Sequence, residues 1–255
     1  MVMALESPPG FIARTEAQKA ASENGYRLER GISGGWLQYS STSAPGSIWI
    51  GSCSGKGPWL LSIDHSGVAH EIGVSSQLPI SGPGLLTLSF PTLPDLYAAL
   101  DRVYKLSVSL PDAPLERFRK ATAKLPRTTE AERLVVQRIG QDIFRDALMD
   151  YWGGRCPITG ITEPALLRAS HIVPWADCTD EERLDVYNGL LLSALWDAAF
   201  DRGLVSFADD GTVLVSGRLG TKEREALGLD SAPRLSGLQE HHCLNLARHR
   251  TRNGF

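Results

Sequence analysis

The sequence predicts an α+β fold in three parts: a separate small α+β N-terminal domain over residues 1–110, a helical connector over 111–150, and a C-terminal domain over 151–255. Three observations lead there. Residues up to about Leu110 are rich in Gly, Ser, Trp and Tyr and carry short strand-like runs. The stretch after them is charged, with helical periodicity, and Leu166–Val205 reads as strand, long loop, strand and helix. At 255 residues, 42% hydrophobic and 22% charged, the chain is long enough for two modest domains with their own cores.

The N-terminal strands are expected at Trp36–Tyr39, Ser47–Ile50, Trp59–Ile63 and Leu86–Phe90, with Gly34-Gly35, Ser54–Pro58 and Ser81–Gly84 as turns. Pro94 opens a helix through about Leu106 with Leu96, Ala99, Leu100 and Val103 on one face. Leu110–Pro114, LPDAP, reads as a short hinge. A helix near Leu115–Lys124 follows, then a break at Pro126. A longer helix runs from Thr129 to about Tyr151; Thr129 with Glu132 matches a capping box, and Leu134, Ile139, Ile143, Ala147 and Leu148 form its apolar stripe. That stripe packs on the C-terminal core or on a second copy of itself.

Ala165–Ile172 reads as a strand ended by Pro174, because proline removes a donor and restricts the residue before it. Asn188-Gly189 reads as a turn, Leu190–Ala194 as a second short strand, and Trp196–Arg202 as a short helix capped by Gly203. Leu204–Ser216 is expected to be a hairpin turning at Asp210-Gly211, and GLQEHHCLNLARHR a final helix with a basic exposed face.

These elements carry His171, Asn188, Asp197 and Asp201. Cutting a phosphodiester with water requires a base for the nucleophile's proton and a cation for the charge on the phosphorus oxygens and the leaving oxygen. An imidazole with its ordinary pKa of about 6.5 is largely proton-accepting near neutral pH. Residues i and i+4 of a helix share one face about 5–6 Å apart, so Asp197 and Asp201 can converge on one ion, and without an ion they repel. The spacing suits a one-metal phosphodiesterase centre.

Ser-His-Ile-Val-Pro-Trp at Ser170–Trp175, Asn-Gly-Leu-Leu-Leu at Asn188–Leu192 and Asp-Ala-Ala-Phe-Asp-Arg-Gly-Leu at Asp197–Leu204 occur in order. In these three motifs the chain resembles the HNH, or ββα-metal, endonucleases, from about Tyr151 to the C-terminus. The resemblance implies a ββα-metal nuclease domain over 151–255, with His171 as general base and Asn188 bracing the loop. It places Asp197 where many members have a metal-binding histidine and Asp201 where some have a further ligand one turn on. Ser170 departs from the pattern: members often have Asp or His there as a direct ligand, and a serine hydroxyl, a weak ligand, acts through water or not at all. The implied products carry 5′-phosphate and 3′-hydroxyl ends.

Each residue has a structural reading beside the functional one. A histidine at a strand end is commonly a satisfied core residue, Asn before Gly is a turn former, and Asp201 can pair with Arg202. Trp175 and Trp196 read as core packing rather than nucleic-acid stacking. His241, His242 and His249 read as packing plus phosphate contact rather than a metal cluster, and His65 and His70 carry no recognisable spacing. Cys53, Cys156, Cys178 and Cys243 include no Cys-x-x-Cys pair, so no structural zinc is expected, and the oxygen-rich donors favour magnesium or manganese.

A net charge of -3 argues against an indiscriminate nucleic-acid coat protein, so attraction to DNA has to be local. Candidates are Arg117, Arg119 and Lys120, in a basic stretch continuing through Lys124, Arg127, Arg133, Arg138 and Arg145, and Arg248, Arg250 and Arg252 near the tail; all are equally solvated charges. In the N-terminal domain, Trp36, Tyr39, Trp49 and Trp59 either frame a pocket for an extruded or modified base or make a small core. The expected partners are double-stranded DNA, base-modified or not, and a second copy of the chain, since two antiparallel strands invite a two-fold dimer. No apolar run reaches the roughly 18 residues of a membrane span. The start lacks a secretory pattern, and four scattered cysteines suit the cytoplasm. The function expected is a restriction-type DNA endonuclease with an N-terminal reader. The competing readings are a catalytically weak nucleic-acid-binding protein of the same fold and a toxin-type nuclease.

Overall fold

Helices and strands are mixed along the chain in the computed structural model, which describes residues 4–73, 81–126 and 128–255; Arg127 lies outside them. Two compact units are present, 1–113 and 114–255.

In the first unit α1 (Phe11–Glu23) precedes β1 (Leu28–Ser33), β2 (Trp36–Ser40), β3 (Ser47–Ser52) and β4 (Trp59–Ile63); α2 (Ser66–Ile72), β5 (Leu86–Phe90) and α3 (Leu93–Ser109) follow. The five strands form one antiparallel sheet in sequence order. Gly34 and Gly35, both at positive φ, make the two-residue turn between β1 and β2, a conformation that matches the twist of the paired strands. α3 starts at Thr92, whose hydroxyl accepts from the Asp95 amide, and buries Leu96, Leu100, Val103 and Leu106. α1 approaches β2, β3 and α3 through Ala13, Ala17, Ala20 and Ala21, all buried.

The stretch read as a hinge is mostly helical: only two residues, Leu110 and Pro111, separate the end of α3 from α4 (Asp112–Thr122). α5 (Glu130–Tyr151) begins at the Thr129/Glu132 capping box. Of residues 111–150, read from sequence as a connector, 114–150 lie within the second unit, where α5 packs on β6 (Leu167–His171) and β7 (Gly189–Ser193) through Ile143, Ala147 and Leu148. Leu134, at the other end of the expected stripe, is exposed. α6 (Asp180–Leu184) lies between β6 and β7, which pair antiparallel with His171 opposite Gly189 and Ser170 opposite Leu190.

α7 (Ala194–Asp201) leaves β7 directly and lies against both strands. Its end is a Schellman motif: Gly203, at φ 59°, donates to the Phe200 carbonyl and Leu204 to that of Ala199. β8 (Val205–Phe207) and β9 (Val213–Val215) form the expected hairpin around Gly211, and α8 (Thr221–Ala226) and α9 (Glu240–Asn253) complete the unit.

Two buried histidines anchor α9. His249 stacks on Phe200 at 3.9 Å, with Nε2 donating to the Phe200 carbonyl and Nδ1 accepting from the Ser206 hydroxyl. His242 accepts the Gln239 amide at Nδ1 and is surrounded by Tyr151, Trp152 and Tyr187. Burial lowers both pKa values, that of His242 to about 4. Below about pH 6.5 the unfolded chain therefore binds more protons than the folded chain, for His242 down to about pH 4, so this stability is complete above 6.5 and lost as pH falls. For His242 the loss reaches on the order of 3 kcal/mol. Melting temperatures across this window should fall with acid, and less steeply in His242→Leu; equal slopes would show that the imidazole is not held neutral.

Candidate active site

Ser170 and His171 are consecutive in β6, so their side chains leave opposite faces of the strand. Ser170, 2% exposed, faces α7, where its hydroxyl donates to Asp201 Oδ1 at 3.3 Å and lies beside the Asp197 carboxyl, whose pKa it lowers. Strand pairing and the short β7–α7 connection thus bring Ser170, Asp197 and Asp201 together. Both carboxyls are held above the usual range. For Asp197 the main cause is burial, then the charge of Asp201; Ser170 and Arg168 oppose it. For Asp201 it is burial, opposed by Ser170 and Arg202. The result is a pair of crowded acids sharing one hydroxyl, all oxygen donors.

His171 faces α5. Its ring stacks on Phe144 at 3.8 Å and meets Trp175 edge-on at 5.5 Å. Nε2 lies 2.9 Å from the Arg183 carbonyl, which can only accept, so Nε2 carries the proton and Nδ1 the lone pair. Burial pushes the pKa down to about 4; the carbonyl bond opposes that shift and the Arg183 charge adds to it. The imidazole is therefore neutral and proton-accepting at neutral pH.

Asn188 is buried and joins three segments. Its Oδ1 accepts from the Val173 amide at 2.8 Å, and its Nδ2 donates to the carbonyls of Glu182 at 3.0 Å and Val173 at 3.3 Å. Because Arg183 follows Glu182, this brace also sets the carbonyl that orients His171. Asn188→Ala should destabilise the protein by about 1–3 kcal/mol for each buried backbone group it leaves unpaired. A urea midpoint within error of wild type would contradict the brace.

The Asn188-Gly189 turn reading is corrected. Asn188 ends a 3-10 turn, and Gly189 is extended at φ −145° as the first residue of β7. A Cβ there would come within 2.6 Å of Phe144 Cζ, so this glycine admits the ring on which His171 stacks.

Of the predicted basic contacts, six are engaged in ion pairs, and Arg127 lies outside the described residues. Arg117 pairs with Asp146 at 3.3 Å, Arg119 with Glu181 at 2.9 Å, Lys120 with Glu116 at 3.7 Å and Arg248 with Glu182 at 3.1 Å. Arg250 pairs with Asp209 at 2.9 Å and Arg252 with Asp177 at 2.6 Å. Exposed pairs of this kind are weak, and phosphate can replace the carboxylate. Arg145 donates to the Leu167 and Pro164 carbonyls, fixing the entry to β6.

In the first unit, Trp36, Tyr39 and Trp59 are 6%, 2% and 2% exposed. Their burial is that of core residues, and Tyr39 also lines a cleft with Tyr26, Arg27 and Glu29. Trp196 is likewise core, stacked with Phe207, whereas Trp175 keeps part of its surface exposed. Among the described residues no three His, Cys, Asp or Glu side chains are grouped to hold a metal ion, so His241, His242 and His249 form no cluster. Sequence reading missed Phe144 and Arg183, the residues against which His171 is set, and Arg168, which moderates Asp197.

No curated protein matches the chain in a sequence comparison. The stretch that holds Ser170, His171, Asn188, Asp197 and Asp201 does match a family: residues 156–208 fit the family model described as HNH endonuclease, and the C-terminal part of this chain carries an HNH nuclease domain.

Proposed function

We propose that this protein is a metal-dependent endonuclease that hydrolyses DNA phosphodiester bonds. The observation that carries this reading is the Ser170 hydroxyl set against both Asp197 and Asp201, with a neutral imidazole as its neighbour in β6. Two crowded carboxylates and a hydroxyl are hard oxygen donors. They fit a divalent magnesium or manganese ion, which is held by one or two carboxylates and completes its shell with water and phosphate. Bound there, such an ion supplies Lewis-acid stabilisation of the phosphorane and the leaving oxygen.

The chain's own residues supply the rest. His171 Nδ1 takes a proton from the attacking water, while the Arg183 carbonyl holds the ring in the tautomer that can accept it. The new bond joins the water oxygen to phosphorus and the bond to the 3′ oxygen breaks, leaving 5′-phosphate and 3′-hydroxyl ends. Asp197 and Asp201 gain from a cation what they lack without one, relief of mutual repulsion.

The reading extends to restriction of foreign or modified DNA. A centre that contacts the backbone carries little sequence information, so an attached module has to supply it, here residues 1–113. With Trp36, Tyr39 and Trp59 buried, that recognition would use surface groups. Double-strand cleavage would use two copies of the chain. A second reading, a nucleic-acid-binding protein with weak catalysis, is favoured by one observation: a serine occupies the third donor position and the described residues hold no three-ligand cluster.

The two readings are separated by incubating labelled duplex with the full chain, with and without manganese, and analysing the ends. The nuclease reading predicts metal-dependent cuts whose 5′ ends are phosphorylated. Binding with no cuts under either condition would leave the weak-catalysis reading.

A further inference from the structure

We propose that the cleft beside His171, lined by Phe118, Arg133, Val136, Gln137, Trp175 and Arg183, is a nucleobase site. It would take one base, unstacked from the strand, next to the scissile phosphate. The inference rests on the nuclease reading and names how that site engages its substrate. The cleft measures about 560 Å³, within the roughly 300–1,000 Å³ that encloses small organic ligands.

Its place in the fold ties it to the chemistry. Trp175 forms one wall and meets the His171 ring edge-on at 5.5 Å. Arg183 joins the two: its carbonyl holds His171 Nε2, its Nε donates to the Trp175 carbonyl at 2.9 Å, and its guanidinium lies 5.1 Å over the indole. The indole tip sits over Gly140, where a Cβ would come within 2.6 Å of Trp175 Cη2, so this glycine sets the depth of the wall. A ligand in the cleft therefore touches the side chain and the backbone that position the base.

The lining matches a flat heteroaromatic ring rather than a metal or a free anion. Trp175, Phe118 and Val136 offer apolar surface, and bases stack on aromatic walls irrespective of sequence. Gln137 supplies a donor and an acceptor in one amide, the pairing a base edge requires, and Arg133 supplies a cation for the attached phosphate. Neither side chain has a hydrogen-bond or ion-pair partner among the described residues. In contrast, Asp180, the carboxylate on the cleft wall, is taken by Arg183 at 3.0 Å. The two polar groups suited to a nucleotide are thus uncommitted, and the group that would repel it is neutralised.

The test uses the full chain and a duplex that carries 2-aminopurine at one position at a time across the cut, bound in EDTA so that no cleavage occurs. The fluorescence of this base rises when it leaves the stack. The expected result is a severalfold rise at a single position beside the cut, abolished in Trp175→Ala and weakened severalfold in Gln137→Leu. The second variant is needed because Trp175 packs on His171 and Gly140, whereas Gln137 is a half-exposed helix position whose replacement leaves the fold in place. Cleavage in magnesium with no bright position overturns the cleft and leaves the nuclease reading standing. A bright position without cleavage supports the cleft and removes the nuclease reading. Binding of neither kind overturns both, and a bright position equally strong in Gln137→Leu and Trp175→Ala places the unstacked base elsewhere.

Discussion

His171→Ala should cleave DNA about 10²–10⁴-fold more slowly than the wild-type chain while retaining the rise in melting temperature that a divalent ion produces. The loss is that of a positioned proton acceptor. The ring's Nε2 is committed to the Arg183 carbonyl, so the only lone pair that can serve is Nδ1, and alanine removes it. Ligation is spared because Ser170, Asp197 and Asp201 lie on the other face of β6. The ring is half-buried against Phe144, so the variant also gives up packing, and rates should be compared well below both melting temperatures. Turnover unchanged in this variant would remove His171 as the base.

Asp197→Asn should have two opposite effects. Without a divalent ion the variant should melt at a higher temperature than wild type. Burial and Asp201 raise the Asp197 pKa above its unfolded value, so the folded chain binds more protons, and the pair destabilises the fold at any pH above the raised value. An amide removes the charge. With the ion, wild type should gain RT ln(1 + [L]/Kd), about 2.7 kcal/mol at a hundredfold excess over Kd, and the variant should gain little and not cleave. A variant that melts lower in EDTA yet still responds to metal would mean that Asp197 is a structural acid.

The parts of the fold legible in sequence were those whose signal is local. The Thr129/Glu132 box marks the start of α5, Gly34-Gly35 the β1–β2 turn, and Gly203 the end of α7. The missed elements had weak local signals. α1 buries only alanines, so its apolar stripe hardly stands out from its polar face, and β1 is an exposed edge strand with an irregularity between Glu29 and Gly31.

In the site, spacing alone put Asp197 and Asp201 on one helix face, and strand pairing added Ser170. What surrounds His171 was not readable: its partner is a backbone carbonyl, which every residue possesses, and its stacking ring comes from Phe144 on a helix far back in the chain. The same holds for Gly189, whose identity answers to the Phe144 ring rather than to a turn. The aromatics Trp36, Tyr39 and Trp59 show the converse, since composition suggests a pocket and strands covered on both faces bury them.

The most direct test is one manganese titration read two ways, as the rate of plasmid cleavage and as the melting temperature of the same preparation. A hydrolytic centre built on Ser170, Asp197 and Asp201 predicts that both rise with a common midpoint and that Asp197→Asn loses both together. Cleavage that persists in EDTA, or that Asp197→Asn retains at the wild-type midpoint, would contradict the account.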